Sequence, residues 1–344
     1  MDIFELLEFS VNHNASDLHL SAGLSPVLRI DGELRPSKFP IINNDQLRVM
    51  LESLLDQKQQ LAWSQVKELD IGLSIANIGR VRANFFFHHR GCAAAFRLVS
   101  SQIPTLEKLG TPDIVSHFCQ MSSGLVLVTG ATGGGKSTTL AAMVEYMNTS
   151  LPRHVITIED PIEFIYHSKQ CLIHQRGVGL ETLGFNQALR GALREDPDVI
   201  LVGELRDYET IKLALTAAET GHLVLATLHT PSASDAVHRM IDIFPATERS
   251  FIRSLLAGSL KGVVGQKLLP AIAGGRIAAY EILCNTPAIA HLIRDDKVEQ
   301  IASLMQTGSS QGMQTFEQHM RNLQQQGLIS NLSVKNTLIP EMMY

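Results

Sequence analysis

The sequence predicts an α/β protein with a mostly parallel sheet, preceded by a smaller α+β domain. Three observations support this class: short continuous apolar runs in the second part of the chain, helical stretches between them, and alternating strands with a hairpin signal in the first hundred residues. Unbroken apolar runs are typical of strands buried on both faces, and helices between such strands favour parallel pairing. The runs are LVLV (125–128), VITI (155–158), VILV (199–202) and LVLA (223–226).

Length and composition bound the class before any motif is considered. The chain has 344 residues, of which 45% are hydrophobic and 18% charged, enough for two or three globular domains. The net charge of −5 disfavours a nucleic-acid partner, which a basic stripe would mark. No C-x-x-C pair is present, which disfavours a zinc knuckle and suits a reducing compartment. With no signal-peptide pattern and no membrane-length apolar run, we expect a cytoplasmic protein that reaches a membrane only by docking on a complex there.

Residues 1–100 are predicted to form the α+β domain. Asp31-Gly32 between VLRI and ELRP is a strong hairpin signal. Apolar spacing predicts helices over 4–14 and over Gln46–Leu61, and alternation predicts strands at 18–20, 27–30, 70–75, 80–87 and 93–98. Two prolines and a shift in composition mark a linker at 101–115.

Residues 116–344 are predicted to form the α/β domain with a mainly helical C-terminal part. Helical patterns connect the apolar runs at Lys136–Met147, Asn186–Leu193 and Tyr208–Glu219. The part from Ser232 onward is mainly helical, with further strands near Val263–Leu268 and Arg276–Leu283.

The segment GATGGGKSTT (130–139) follows the first apolar run and opens a helix, as a P-loop does. Its glycines allow backbone N–H groups to turn toward phosphates at the positive end of the helix. Lys136 is then expected to bind the β- and γ-phosphates of ATP, and Ser137 to ligate Mg²⁺. The alternative, a plain glycine-rich turn, fits the strand–loop–helix context less well. The expected nucleotide contacts are Gly130, Ala131, Thr132, Gly133, Gly134, Gly135, Lys136, Ser137 and Thr138.

Acidic residues follow two of the other apolar runs. Glu159, Asp160 and Glu163 come after VITI, and Glu204 comes after VILV. Because ligands bind beyond the carboxyl ends of parallel strands, these carboxylates are expected to converge on the phosphate site. Glu204 is the better Walker B residue, for Mg²⁺ or its water, and Glu163 is the better general base. A helix-capping or loop role stays open for Glu159, Asp160 and Glu163 taken singly.

Two histidines bracket the fourth run, HLVLATLH (222–229). They stand at opposite ends of one strand, so both cannot contact one small ligand directly. His229 lies on the phosphate side and is a candidate γ-phosphate sensor, whereas His222 on these grounds is a structural residue.

Read together, these motifs resemble the secretion ATPase superfamily and, within it, the type IV pilus retraction ATPases of the twitching-motility class. ITIEDPIEF (156–164) is similar to that family's Asp box, LREDPDVILVGELRDYET (193–210) to its Walker B segment and TAAETGHLVLATLHT (216–230) to its His box. ASDLHLSAG and RIDGEL, within 15–34, resemble its PAS-like N-terminal domain. The resemblance covers almost the whole chain.

The resemblance implies a homo-hexameric, RecA-like ATPase motor that drives pilus disassembly with an inner-membrane platform protein as partner. It implies Glu163 as catalytic glutamate, Glu204 as Walker B acid, and His222 and His229 as the His-box pair at the nucleotide. Arg82 and Arg97, carried by the N-terminal domain of a neighbouring subunit, would complete the site.

Two departures leave an alternative open. The loop has Ala131 and Gly134 where the family usually has proline and serine, which keeps the fixed positions. The retraction-associated AIRNLIRE motif appears here as AIAHLIRD (288–295). The alternative is therefore an accessory paralogue that binds ATP and assists a main retraction ATPase. A nucleic-acid translocase and a small-molecule kinase are both disfavoured.

Overall fold

The computed structural model describes residues 2–30, 32–76, 78–98 and 103–330. The chain divides into two compact units, one formed by Met1–Gln102 with Glu163–Ile165 and the other by Ile103–Ile162 with Tyr166–Tyr344. Within the described ranges, no helix combines the length and the hydropathy needed to span a bilayer.

The first unit is a six-stranded antiparallel sheet with three helices. The strand order is β3-β2-β1-β6-β5-β4. Its helices are α1 (Ile3–Asn12), α2 (Asn44–Glu52) and α3 (Gln57–Val66), and its strands are β1 (Asp17–Ser21), β2 (Val27–Ile30), β3 (Glu33–Pro36), β4 (Glu68–Ile75), β5 (Gly79–His88) and β6 (Gly91–Leu98).

The predicted hairpin is confirmed by the pairing of β2 with β3, in which Ile30 lies opposite Glu33. Gly32 has a φ of 86°, the left-handed conformation that such a tight turn requires; Asp31 lies outside the described residues. The single helix predicted over Gln46–Leu61 is wrong. Asp56 accepts a hydrogen bond from the Gln59 backbone and starts a new helix there, so local capping overrides the continuous apolar pattern.

The second unit is built on a seven-stranded sheet with the order β13-β12-β7-β11-β10-β8-β9. All neighbouring pairs are parallel except β12 and β13, which confirms the mostly parallel α/β fold. The strands are β7 (Gly124–Thr129), β8 (His154–Glu159), β9 (Leu172–Gly177), β10 (Val199–Val202), β11 (Leu223–Leu228), β12 (Leu260–Pro270) and β13 (Arg276–Cys284).

Helices pack around this sheet, and a helical part follows its last strand. They are α4 (Ile114–Gln120), α5 (Lys136–Ser150), α6 (Phe185–Ala192), α7 (Tyr208–Glu219), α8 (Ala233–Asp242), α9 (Ala246–Ser259), α10 (Pro287–Arg294), α11 (Ile301–Thr307) and α12 (Phe316–Gln325). Three of the sheet's central strands explain the unbroken apolar runs, since every residue of β7, β10 and β11 is buried. The β9 strand escaped prediction because LIHQRG is half-exposed and polar.

Candidate nucleotide-binding site

The glycine-rich loop lies between β7 and α5, as its motif predicts, and the structure gives a reason for its glycines. A Cβ atom on Gly130 would lie 2.3 Å from the backbone oxygen of Gln266, and one on Gly135 would lie 2.7 Å from the Gln266 side-chain nitrogen. The two glycines have φ values of 151° and 84°, which L-residues rarely adopt. Gln266, on the neighbouring strand β12, therefore fixes how closely the loop approaches the sheet.

Gln266 also holds the first turn of α5. Its side-chain oxygen accepts a 2.7 Å hydrogen bond from the Thr139 hydroxyl, and both side chains are buried. Gln266 was not among the residues predicted from sequence. The available signal was a lone amide directly after the apolar run GVVG in β12.

Lys136 begins α5 and folds back over the loop. Its ammonium group donates to the carbonyl oxygens of Gly130 at 2.8 Å and Ala131 at 2.9 Å, and lies 3.2 Å from Nδ1 of His229. Only 7% of Lys136 is exposed, so these acceptors offset the cost of burying its charge. Ser137 is exposed and Thr138 half-buried on the same first helical turn.

His229 connects Lys136 to Glu204. An ammonium group can only donate, so Nδ1 of His229 accepts from Lys136 and the ring proton resides on Nε2. That Nε2 lies 3.3 Å from Oε1 of Glu204. The Thr132 hydroxyl, in the loop, lies 3.4 Å from the same Nδ1. The structure thus brings four of the predicted site residues together: Lys136, His229, Glu204 and Thr132.

The Glu204 backbone is held between two strands. Gly203 donates its N–H to Ile158 of β8 at 2.8 Å and accepts from the Thr227 hydroxyl of β11. On the far side, the Leu205 N–H donates to the Thr227 carbonyl at 3.0 Å. Glu204 therefore projects from a fixed point beyond the end of β10.

Arg206 was missed in the sequence, although it is part of the GELRD string. Its Nε donates to Oε2 of Glu204 at 2.8 Å, and its Nη1 lies 3.9 Å from Oδ2 of Asp160. These contacts raise the pKa of the Arg206 guanidinium, chiefly through the Glu204 hydrogen bond. Glu159, next to Asp160, instead accepts from the Thr157 hydroxyl at 2.7 Å.

The donor set fits a magnesium ion shared with phosphates. In the described part of the chain, no group of three His, Cys, Asp or Glu side chains could hold a metal by itself. Mg²⁺ is usually bound by one or two protein oxygens together with substrate phosphates, and the Ser137 hydroxyl and the Glu204 carboxylate suit that mode.

Within the second unit, the predicted His222 is not part of this cluster. His222 precedes β11, and its carbonyl accepts from Gly124 at the start of β7, so it lies at the opposite end of these strands from the loop. Its Nδ1 contacts the Ala217 carbonyl at 3.0 Å, a structural role in this chain. Glu163 is exposed and belongs to the short segment that is part of the first unit.

The two predicted arginines lie directly opposite each other in the first unit, Arg82 on β5 and Arg97 on β6. Arg97 Nε donates to Asp17 at 3.0 Å, and the buried Asp17 carboxylate also lies 3.9 Å from Nε of Arg29. Arg82 is exposed. The buried Asp17 carboxylate thus contacts both Arg97 and Arg29. Arg82 is the third arginine at this level of the sheet, opposite Arg97.

The chain is similar to several known proteins over nearly its whole length. Residues 3–336 match the family of type II/IV secretion system proteins. The chain is 50% identical over 342 residues to the type IV pilus retraction ATPase PilT of Pseudomonas aeruginosa, covering 99% of each chain. It is 40% identical to the type IV pilus ATPase PilU of the same organism, over 96% of this chain and 87% of that one. A crystal structure of the pilus retraction motor PilT with bound ADP superposes with a TM-score of 0.92 at 43% identity, covering 100% of this chain and 99% of the other.

The matched region includes the glycine-rich loop, both acidic segments and the two histidines. A match over this span, with relatives of nearly the same length, leaves one conclusion on ancestry: the chain belongs to the type II/IV secretion system protein family.

Proposed function

We propose that this protein is an ATP-hydrolysing motor that powers type IV pilus retraction. The observation that carries the proposal is the continuous contact from the P-loop lysine through His229 to Glu204, on a chain that is 50% identical to a pilus retraction ATPase end to end. This series of contacts links the lysine that holds a phosphate to the carboxylate expected to hold the metal or its water.

The residues have distinct roles in this mechanism. Backbone amides of 130–137 and the Lys136 ammonium bind the phosphates of ATP. Bound Mg²⁺, held by Ser137 and Glu204, would neutralise charge on the β- and γ-phosphates. His229 senses the γ-phosphate because its Nδ1 already contacts Lys136. Glu163 orients the attacking water, and Glu159 and Asp160 support the acidic edge of the site.

The assembly is part of the same proposal. The second unit is a RecA-like domain and the first a PAS-like domain, and six copies form a ring in which Arg82 and Arg97 of a neighbouring copy supply positive charge to the phosphates. Closure of that neighbour on ATP and its release after hydrolysis produce motion. The ring works in the cytoplasm, docked on an inner-membrane pilus platform protein, and binds no nucleic acid. His222, in the family's His box, would act on a nucleotide only through such an assembly.

The altered segment 288–295 favours one alternative, an accessory paralogue that assists a main retraction motor. Residues 288–294 lie in α10, and the exposed His291 contacts Asp295, the residue that follows the helix, with Nε2 3.5 Å from Oδ2. Both residues depart from the AIRNLIRE pattern.

Steady-state hydrolysis by the purified protein separates these readings. We expect Lys136→Ala to lose nucleotide binding and to lower turnover by about 100-fold or more, since it removes a preorganised cation from the phosphates. Lys212→Ala, which removes an exposed lysine paired with Glu248, is the matched control. Unchanged turnover in Lys136→Ala would contradict the site, and turnover that appears only on addition of a paralogous motor would favour the accessory role. Loss of surface motility in a deletion strain tests the pilus assignment itself.

A further inference from the structure

Both carboxylate oxygens of Glu204 are engaged by side chains. Oε1 lies 3.3 Å from Nε2 of His229, and Oε2 accepts from Nε of Arg206 at 2.8 Å. A metal ion that binds this carboxylate would therefore share it with two hydrogen-bond donors, one of them a guanidinium. The Arg206 contact is the relevant one, because a guanidinium and a divalent cation repel each other on one carboxylate.

Arg206 has a second acceptor within reach. Its Nη1 lies 3.9 Å from Oδ2 of Asp160, which follows β8, so the guanidinium stands between the ends of two adjacent strands. Arg206 and Asp160 are both largely exposed, whereas Glu204 is more buried. A short movement of the guanidinium exchanges one carboxylate for the other without burying a charge.

The backbone on either side of Arg206 is fixed. The Leu205 N–H donates to the Thr227 carbonyl at 3.0 Å, and Asp207 caps α7 by accepting from the Thr210 N–H at 2.9 Å. The exchange is therefore a side-chain movement of Arg206 alone.

On these grounds we propose that Arg206 is a positioning residue that controls metal access to Glu204 by exchanging the Glu204 carboxylate for that of Asp160. This inference rests on the proposed function, since it assumes that Glu204 serves Mg²⁺ at an ATP site. It predicts that Arg206 competes with the metal and that Asp160 weakens this competition.

The test measures the Mg²⁺ dependence of binding of a fluorescent, slowly hydrolysed ATP analogue to the full-length protein. Arg206→Gln should lower the Mg²⁺ concentration at half-saturation about fivefold, the factor for one charge-assisted hydrogen bond at a partly exposed site. Asp160→Asn should raise it by a similar factor in the wild-type background and leave it unchanged in Arg206→Gln. Lys212→Gln, which removes one positive charge from an exposed pair on α7, should match wild type.

The double-variant comparison decides the outcome. Equal losses from Asp160→Asn in both backgrounds would mean that Asp160 acts on the metal directly and would overturn the exchange. A gain in Lys212→Gln as large as in Arg206→Gln would reduce the effect to net charge and also overturn it. Should Arg206→Gln fail to fold, Arg206→Lys serves instead, because lysine keeps the charge but lacks the planar guanidinium that reaches two carboxylates. The same Mg²⁺ dependence in Arg206→Lys as in wild type would count against the proposal. Wild-type binding that ignores Mg²⁺ would overturn the metal role in the proposed function as well, whereas normal dependence without coupling would overturn this inference alone.

Discussion

Replacing Gly130 by alanine should damage the P-loop far more than the same change at Gly133, three positions along. Both glycines have positive φ, 151° and 74°, so each substitution strains the backbone. Only the first also meets protein, because its Cβ would lie 2.3 Å from the backbone oxygen of Gln266, whereas nothing lies within 4 Å of the second.

The expected losses of stability follow from two effects, the backbone strain at positive φ and the contact of the added methyl group. Backbone strain alone costs about 1–3 kcal/mol, and forcing a methyl group against a fixed backbone atom adds about 1–3 kcal/mol. Gln266 cannot withdraw cheaply, since its strand is paired on both sides with β7 and β13. At about 2–4 °C per kcal/mol for a unit of this size, we expect the thermal midpoint to fall by about 2–12 °C for Gly133→Ala and by about 2–12 °C more than that for Gly130→Ala.

Two measurements test this prediction. Thermal unfolding gives the midpoint of each variant, and titration with a fluorescent ATP analogue gives its nucleotide affinity. Gly130→Ala should also weaken nucleotide binding more than Gly133→Ala, because the displaced loop no longer presents its amides to the phosphates. Equal midpoints for the two variants, or a Gly130→Ala protein as stable as wild type, would refute the argument that Gln266 sets the loop position.

Two further predictions concern titration and charge. Burial lowers the pKa of His319, whose Nδ1 accepts a hydrogen bond from the Tyr280 N–H at 2.8 Å. As the pH falls below 6.5, this histidine is therefore protonated in the unfolded chain before it is protonated in the folded protein. The free energy of unfolding declines over that range. His319→Asn, which keeps an acceptor but cannot titrate, should lose less thermal stability than wild type between pH 7.5 and 5.5, and parallel profiles would contradict this. Asp17→Asn should lower the thermal midpoint of the first unit by about 4–8 °C, since it removes about 1 kcal/mol of pairing with Arg97 and Arg29. The loss should shrink in an Arg97→Gln background, and full additivity of the two changes would argue against the pairing.

The sequence predicted the parts of the fold that depend on local pattern. Continuous apolar runs marked the buried strands because both faces of β7, β10 and β11 are covered. The glycine spacing predicted a loop between β7 and α5 for a similar reason, since the positive φ values of Gly130 and Gly135 are a local requirement. The helix over Gln46–Leu61 failed because Asp56 caps a second helix, a local signal that a moderate apolar pattern concealed.

Long-range contacts could not be predicted in the same way. Gln266 lies 127 residues beyond Thr139 in the chain, and only the pairing of β12 with β7 brings them to a 2.7 Å hydrogen bond. Arg206 stands within a predicted motif, but its choice of Glu204 and Asp160 as partners depends on β10 and β8 being neighbours.

Strand order also explains why His229 is the link between Lys136 and Glu204. In the chain, VILV precedes LVLA, but in the sheet β11 lies between β7 and β10. The residue that follows β11 is therefore placed between the lysine after β7 and the glutamate after β10, with contacts of 3.2 Å and 3.3 Å. Because β11 is paired in register with β7 over its whole length and with β10 over residues 223–226, a one-residue slip would move His229 away from both partners at once. The contacts of His229 with Lys136 and Glu204 are thus a consequence of strand order and register. Separate sequence motifs contain neither, so they do not predict these contacts.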